Sequence, residues 1–93
     1  MKITPETVFF ITGGASGLSK SFVQRMHAKG AKICVADINT ENMEKLKTEL
    51  GEETLLTVEC DVTKVDQIEA ATKACVEKFG KIDVCLTGAG IVT

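Results

Sequence analysis

Four short runs of apolar and β-branched residues, Thr7 to Thr12 (TVFFIT), Ala31 to Ala36 (AKICVA), Thr54 to Glu59 (TLLTVE) and Ile82 to Thr87 (IDVCLT), are separated by three stretches of helical period. The runs read as strands, since branched side chains suit a pleated surface and each run ends in a turn-forming or polar group. The first and last are almost continuously apolar, the pattern of strands covered on both faces by helices. Leu18, Phe22 and Met26 then recur before Gly30, Met43, Leu46 and Leu50 before Gly51, and Ile68, Ala71, Cys75 and Phe79 before Gly80. Each set describes a one-sided helix with a glycine stop. Thr63 is expected to cap the third helix through its side-chain oxygen, with Asp66 placing a carboxylate near exposed amides. Helices of this length serve as right-handed crossovers, so four parallel strands are expected in an α/β fold. Pro5, the only proline, lies outside the first strand. A chain of 93 residues holds one domain, 1–93, whose core is marginal for its size.

Composition narrows the function classes. Eleven Lys and Arg stand against thirteen Asp and Glu, with no basic stripe and four aromatic residues, all Phe, which gives nucleic-acid binding no support. The longest apolar runs, such as Val8 to Ile11, are far too short to span a bilayer, so no membrane association is expected. The start MKITPETV has neither the apolar segment of a secretory signal nor an Arg-rich amphipathic tract; a cytoplasmic location is expected, with a mitochondrial one left open. Cys34, Cys60 and Cys85 fall in or at the end of strands and Cys75 on the apolar side of a helix. They read as small core residues in a reduced protein, and neither their spacing nor the single His27 suggests a metal site.

The segment Thr12 to Ser19, TGGASGLS, joins the first strand to the first helix. Such a turn gathers free backbone amides at a helix N-terminus, where hydrogen bonding and the local dipole both favour an anion. Gly13 can take backbone angles denied to other residues, Gly17 permits close approach, and Ser16 adds a hydroxyl. The spacing is neither G-x-G-x-x-G nor a P-loop, and a turn of this composition can also simply close a tight connection. Asp37 comes directly after the second strand, twenty-four residues beyond Gly13. In a doubly wound sheet that carboxylate lies beside the first turn, where it can accept both hydroxyl protons of an adenosine ribose; the plainer alternative is that it starts a turn or the next helix. With no Arg or Lys at Ser16 or Ile38 to offset a 2'-phosphate, the ribose reading favours NAD over NADP. Asp61 repeats the arrangement after the third strand, where with Val62 it can meet an adenine edge or form a turn. The small residues of TGAG, Thr87 to Gly90, would let a cofactor pass close to the backbone after the fourth strand.

Together these residues resemble the short-chain dehydrogenase/reductase family. The likeness rests on TG-x-x-x-G-x-G at Thr12 to Ser19, the acidic strand end Ala36-Asp37-Ile38, the Asp-Val of Cys60-Asp61-Val62, the segment Thr87-Gly88-Ala89-Gly90 in place of Asn-Asn-Ala-Gly, and the run Lys78 to Val84 leading into it. It extends over residues 7 to 91. The resemblance implies a partial Rossmann-type parallel sheet of order 3-2-1-4 with crossover helices on both faces, truncated after a fourth strand left at the edge. It implies NAD held by Gly13, Ser16, Gly17 and Leu18 around the pyrophosphate and neighbouring ribose, by Asp37 at the adenosine ribose, by Asp61 and Val62 at adenine, and by Gly88, Ala89 and Gly90 between the cofactor's halves.

The sequence departs from the family at Ser19, where a third glycine is usual, and at Thr87 and Gly88, where two asparagines tie adjacent strands. Thr87 can replace part of that network; Gly88 cannot replace its side-chain component. Family members transfer a hydride between a nicotinamide cofactor and an alcohol or carbonyl, using a serine and a Tyr-x-x-x-Lys downstream of the fourth strand. This chain has no tyrosine. It therefore reads as the NAD-binding part of an oxidoreductase, inactive and poorly stable by itself, with no catalytic residue of its own and a substrate only if the missing region is supplied. The alternatives are a non-catalytic dinucleotide-binding or regulatory module that associates with a complete subunit, and an unstable fragment that binds nothing. A homo-oligomer is the family expectation.

Overall fold

The computed structural model describes residues 3–13, 17–87 and 90–92, excepting the side chains at 17–19, 87 and 90–92. The elements are β1 (Val8–Thr12), α1 (Gly17–Ala28), β2 (Lys32–Asp37), α2 (Thr40–Leu50), β3 (Leu55–Glu59), α3 (Val65–Phe79), β4 (Val84–Thr87) and β5 (Gly90–Val92). They form one sheet of order β3-β2-β1-β4-β5. The first four strands are parallel, as the alternation of strand and helix requires, and the order 3-2-1-4 is the expected one.

Alternate strand residues face opposite layers. Phe9 and Ile11 of β1, Ile33 and Val35 of β2 and Leu55 of β3 pack with Val23 of α1 and with Met43 and Leu46 of α2. Val8, Phe10, Cys34 and Ala36 turn to the other face and pack with Ala71 and Cys75 of α3. Both faces of the two central strands are thus buried, which is why their sequences show no polar alternation. Phe9 meets Phe22 edge to face, with ring centroids 5.5 Å apart, and this contact seats α1 on the sheet. The three terminating glycines all have positive φ, and Gly80 takes the left-handed conformation with its N–H donating to the Val76 carbonyl at 2.7 Å.

Two expectations are corrected. Thr63 does not cap α3. The cap position is Lys64, without a side-chain bond, and the Thr63 hydroxyl instead donates to Asp61 Oδ1 at 2.6 Å. A carboxylate two residues away is a stronger acceptor than any role the hydroxyl could find at the helix start, so the local turn wins. Nor is β4 an edge: β5 returns antiparallel along it, pairing Leu86 with Ile91 and Thr87 with Gly90. A three-residue strand is too short to register as a period in sequence.

The start of β4 is bound to β1 by a reciprocal pair. Val8 N–H donates to Asp83 Oδ2 at 2.9 Å, and Asp83 N–H donates to the Val8 carbonyl at 2.9 Å. Lys81 Nζ lies 3.0 Å from the same carboxylate oxygen. The Val8 amide, then Lys81, hold the Asp83 carboxyl below the ordinary carboxylate range. A carboxylate whose folded pKa is depressed stabilises the fold above its unfolded value, about 4, and that contribution is lost as pH falls through the lower folded value. Replacing Asp83 by Asn is therefore expected to lower Tm at neutral pH and to flatten the fall of Tm below about pH 4, read by circular dichroism melts across pH; parallel curves for the two proteins would refute the linkage. Gly13, at φ 70 where β1 ends, makes a second test. Side chains are strained in that region, so Gly13→Ala is expected to cost about 1 kcal/mol in urea unfolding, and an unchanged midpoint would contradict it.

Candidate functional site

The registers set the carboxyl ends of β1, β2 and β3 flush. Thr12 pairs with Ala36, Ala36 with Val58 and Asp37 with Glu59. Backbone bonding continues one step beyond the strands: Gly13 N–H donates to the Ala36 carbonyl at 2.8 Å, and Cys60 N–H to the Asp37 carbonyl at 3.0 Å. Gly13 and Cys60 are thereby fixed on either side of Asp37. The first of these bonds also commits the glycine to the turn, where its positive φ steers the chain away from the sheet.

Asp37, the last residue of β2, is 9% exposed. Its Oδ1 accepts the N–H of Asn39 at 2.9 Å, and Asn39 in turn caps α2, its Oδ1 accepting the N–H of Asn42 at 2.9 Å. Asp61 is built the same way after β3: its Oδ1 accepts from the Thr63 N–H at 2.9 Å and from the Thr63 hydroxyl. The Thr63 hydroxyl and amide, with Lys64 nearby, hold the Asp61 carboxyl below its usual range. Gln67 of α3 accepts the Asp61 N–H at 2.8 Å, joining the loop to the helix. For Asp61 the turn role, one of the two readings open from sequence, is realised.

A cleft of about 560 Å³ brings Gly13, Asp37, Asp61 and Val62 together. Its volume is in the range of small-molecule sites. Ile38 and Val62, two of the most exposed large apolar residues described, at 66% and 50%, stand along it. Phe10, Cys60 and Cys85 also line it, with Ile68 and Thr72 of α3. Sequence reasoning missed these five as site residues. The signal for Ile68 and Thr72 was their four-residue spacing on the face of α3 turned toward the strand ends; Phe10 and Cys85, paired across β1 and β4, carried only a core signal. The described cleft-lining residues include two carboxylates and no lysine or arginine.

Of the other residues singled out from sequence, Ser16, Gly88 and Ala89 lie outside the described residues. Gly17 and Leu18 begin α1, and Gly90 opens β5. The turn thus does lead from a buried parallel strand into a helix N-terminus. Among the described residues no group of three His, Cys, Asp or Glu could hold a metal ion, and no helix is long and apolar enough to cross a membrane.

Comparison with known proteins agrees with this arrangement. The family model for short chain dehydrogenase matches residues 7–93. The chain is 44% identical over 91 residues to cis-2,3-dihydrobiphenyl-2,3-diol dehydrogenase of Pseudomonas putida, covering 98% of this chain and 32% of that protein. It is 43% identical over 84 residues to 3beta-hydroxysteroid dehydrogenase 2 of Eggerthella lenta, covering 88% and 32%. Among solved structures, 3-ketoacyl-(acyl-carrier-protein) reductase from Brucella melitensis complexed with NADH superposes with a TM-score of 0.82 at 32% identity, over 86% of this chain and 32% of that one. A short chain dehydrogenase/reductase from Burkholderia phymatum in complex with NAD gives 0.84 at 28% identity, over 92% and 31%. The chain spans about a third of the length of these relatives. Matched by that family model over nearly its whole length, and with its parallel strands in the order 3-2-1-4, the chain belongs to the short-chain dehydrogenase family.

Proposed function

We propose that this chain is the NAD-binding portion of an oxidoreductase that moves a hydride between NAD and an alcohol or carbonyl substrate. The observation that carries the reading is the single cleft joining Gly13, Asp37, Asp61 and Val62. Solved relatives holding NADH and NAD support the choice of cofactor. Asp37, at the end of the second strand, accepts the hydroxyl protons of the adenosine ribose. Ile38 and Val62 offer apolar surface to the two faces of the adenine ring, a use that accounts for large aliphatic side chains left in solvent. Asp61, held ionised and oriented by Thr63, accepts from the adenine amino group. Gly13 and the start of α1 at Gly17, with Ser16 and Leu18, receive the pyrophosphate at a helix N-terminus. Gly88, Ala89 and Gly90 let the cofactor pass toward β4.

When bound, NAD supplies the hydride acceptor; the proton of the substrate oxygen still needs a positioned acid or base. The chain contains no tyrosine, so in this reading the proton-transfer group and the substrate pocket come from outside these 93 residues. The alternative reading is a dinucleotide-binding or regulatory module that docks on a complete subunit. A coding segment downstream bearing Ser and Tyr-x-x-x-Lys decides for the first; its absence decides for the second. Self-association and a cytoplasmic location belong to the same proposal.

Calorimetric titration with the two cofactors tests the binding site. NAD is expected to bind at least about tenfold more tightly than NADP, a difference of about 1.4 kcal/mol, because a 2'-phosphate would face Asp37 in a cleft without a basic residue among those described. Asp37→Ala is expected to erase most of that preference while circular dichroism keeps the helical signal. Preference for NADP, or no nucleotide binding by a folded chain, would overturn the assignment.

A further inference from the structure

Both polar backbone atoms of Asp61 are bonded. Its N–H donates to Gln67 Oε1 at 2.8 Å, and its carbonyl accepts the Lys64 N–H at 3.0 Å. The residue before it, Cys60, donates its own N–H to the Asp37 carbonyl at the end of β2. On the side chain, both bonds from Thr63 fall on Oδ1, so among the described residues Oδ2 accepts nothing. A carboxylate fixed through its backbone and half used in its side chain leaves one acceptor oxygen for a ligand.

The bond from Gln67 is the unusual member of this set. Gln67 is the third residue of α3, the position from which a Gln side chain commonly reaches back to the N–H of the capping residue. Here the capping residue, Lys64, has its N–H taken by the Asp61 carbonyl, and Gln67 passes over it to the residue six places back. One turn further on, Ala71 is buried against the sheet, and Cys75 follows a turn later. The bond therefore transmits the fixed position of α3 to Asp61, in a cleft that Ile68 and Thr72 of the same helix also line.

We infer, resting on the NAD reading above, that Gln67 is a positioning residue for base selectivity: it holds Asp61 so that the cleft takes a purine with a 6-amino group, adenine, in preference to a 6-oxo purine, hypoxanthine. An ionised carboxylate only accepts, so it bonds the amino group of adenine and meets the oxo group of hypoxanthine lone pair to lone pair. Thr63 keeps the carboxyl ionised, and the described lining residues include no lysine or arginine to reverse the preference. Hypoxanthine does carry a donor at N1–H, next to its oxo group. A carboxylate free to shift would bond that group instead, so the preference depends on holding Oδ2 still.

Calorimetric titration with NAD and with its 6-oxo analogue, nicotinamide hypoxanthine dinucleotide, tests this. The wild-type chain is expected to bind NAD at least about tenfold more tightly than the analogue, the scale of one hydrogen bond to a charged group. Gln67→Met, of similar length without an acceptor, should bring the two affinities together while circular dichroism keeps the helical signal. Gln67→Asn, polar but one methylene short, should do the same, and Gln67→Glu, with an acceptor at full reach, should restore the preference. A Gln67 that only steadied the fold would lower Tm or weaken both dinucleotides alike, leaving their ratio unchanged. An unchanged ratio in the folded Met or Asn variant, or a wild-type ratio near one, overturns the positioning role while NAD binding stands. Failure of the folded wild-type chain to bind either dinucleotide overturns the NAD reading and this inference with it.

Discussion

The in-register parallel ladder around β2 is the constraint on which the rest of the structure depends. Because β1 and β3 flank β2 with their ends level, the three loops leave the sheet at the same height and from adjacent positions. A slip of one residue in either ladder would exchange the faces of a strand, sending Phe10 or Cys34 into the layer occupied by α1 and α2. It would also move Gly13 or Cys60 away from Asp37. Core packing and the geometry of the cleft are therefore set by the same hydrogen bonds. The reciprocal bonds between Val8 and Asp83 do the equivalent work at the opposite end, anchoring β4 to β1 where the ladder begins.

The two acidic strand ends solve a shared problem in a shared way. A carboxylate at the end of a buried strand must be oriented without being consumed by its neighbours, and each uses Oδ1 to accept the N–H two residues on. The local bond aims the side chain and starts the approach to the next helix. At Asp37 the neighbouring Asn39 completes the approach as the cap of α2. At Asp61 the route runs through Gln67, whose side chain reaches back from α3 to the Asp61 amide. Since the helices are entered through these turns, the cleft has walls whose placement follows from chain connectivity.

Most of the sheet was legible because burial on two faces leaves a strong mark in sequence. The apolar runs around Phe9 and Val35 admit no other reading once helical stripes separate them, and the glycines after each stripe announce the stops. Gly13, Asp37, Asp61 and Val62 were legible as a group because topology alone carries strand ends to one side of the sheet. What escaped was decided by contacts local in space and unmarked by period. Thr63 carries the letters of a helix cap, yet Asp61 lies within reach of its hydroxyl; β5 pairs through backbone atoms that its side chains do not advertise. Phe10 and Cys85 look like core in sequence because they pack in the core from β1 and β4, and only the fold brings them to the lining of an opening.

The bond from Asn39 ties the Asp37 carboxylate to the entry of α2 while Asp37 itself lines the cleft. A substitution at position 37 that removes every side-chain acceptor also removes the bond that steadies the entry to α2. Asn or Ser there could keep a local acceptor while discarding the charge; Ala or a bulky apolar side chain would discard both. The start of α2 therefore limits which side chains position 37 can carry, whatever the cleft holds.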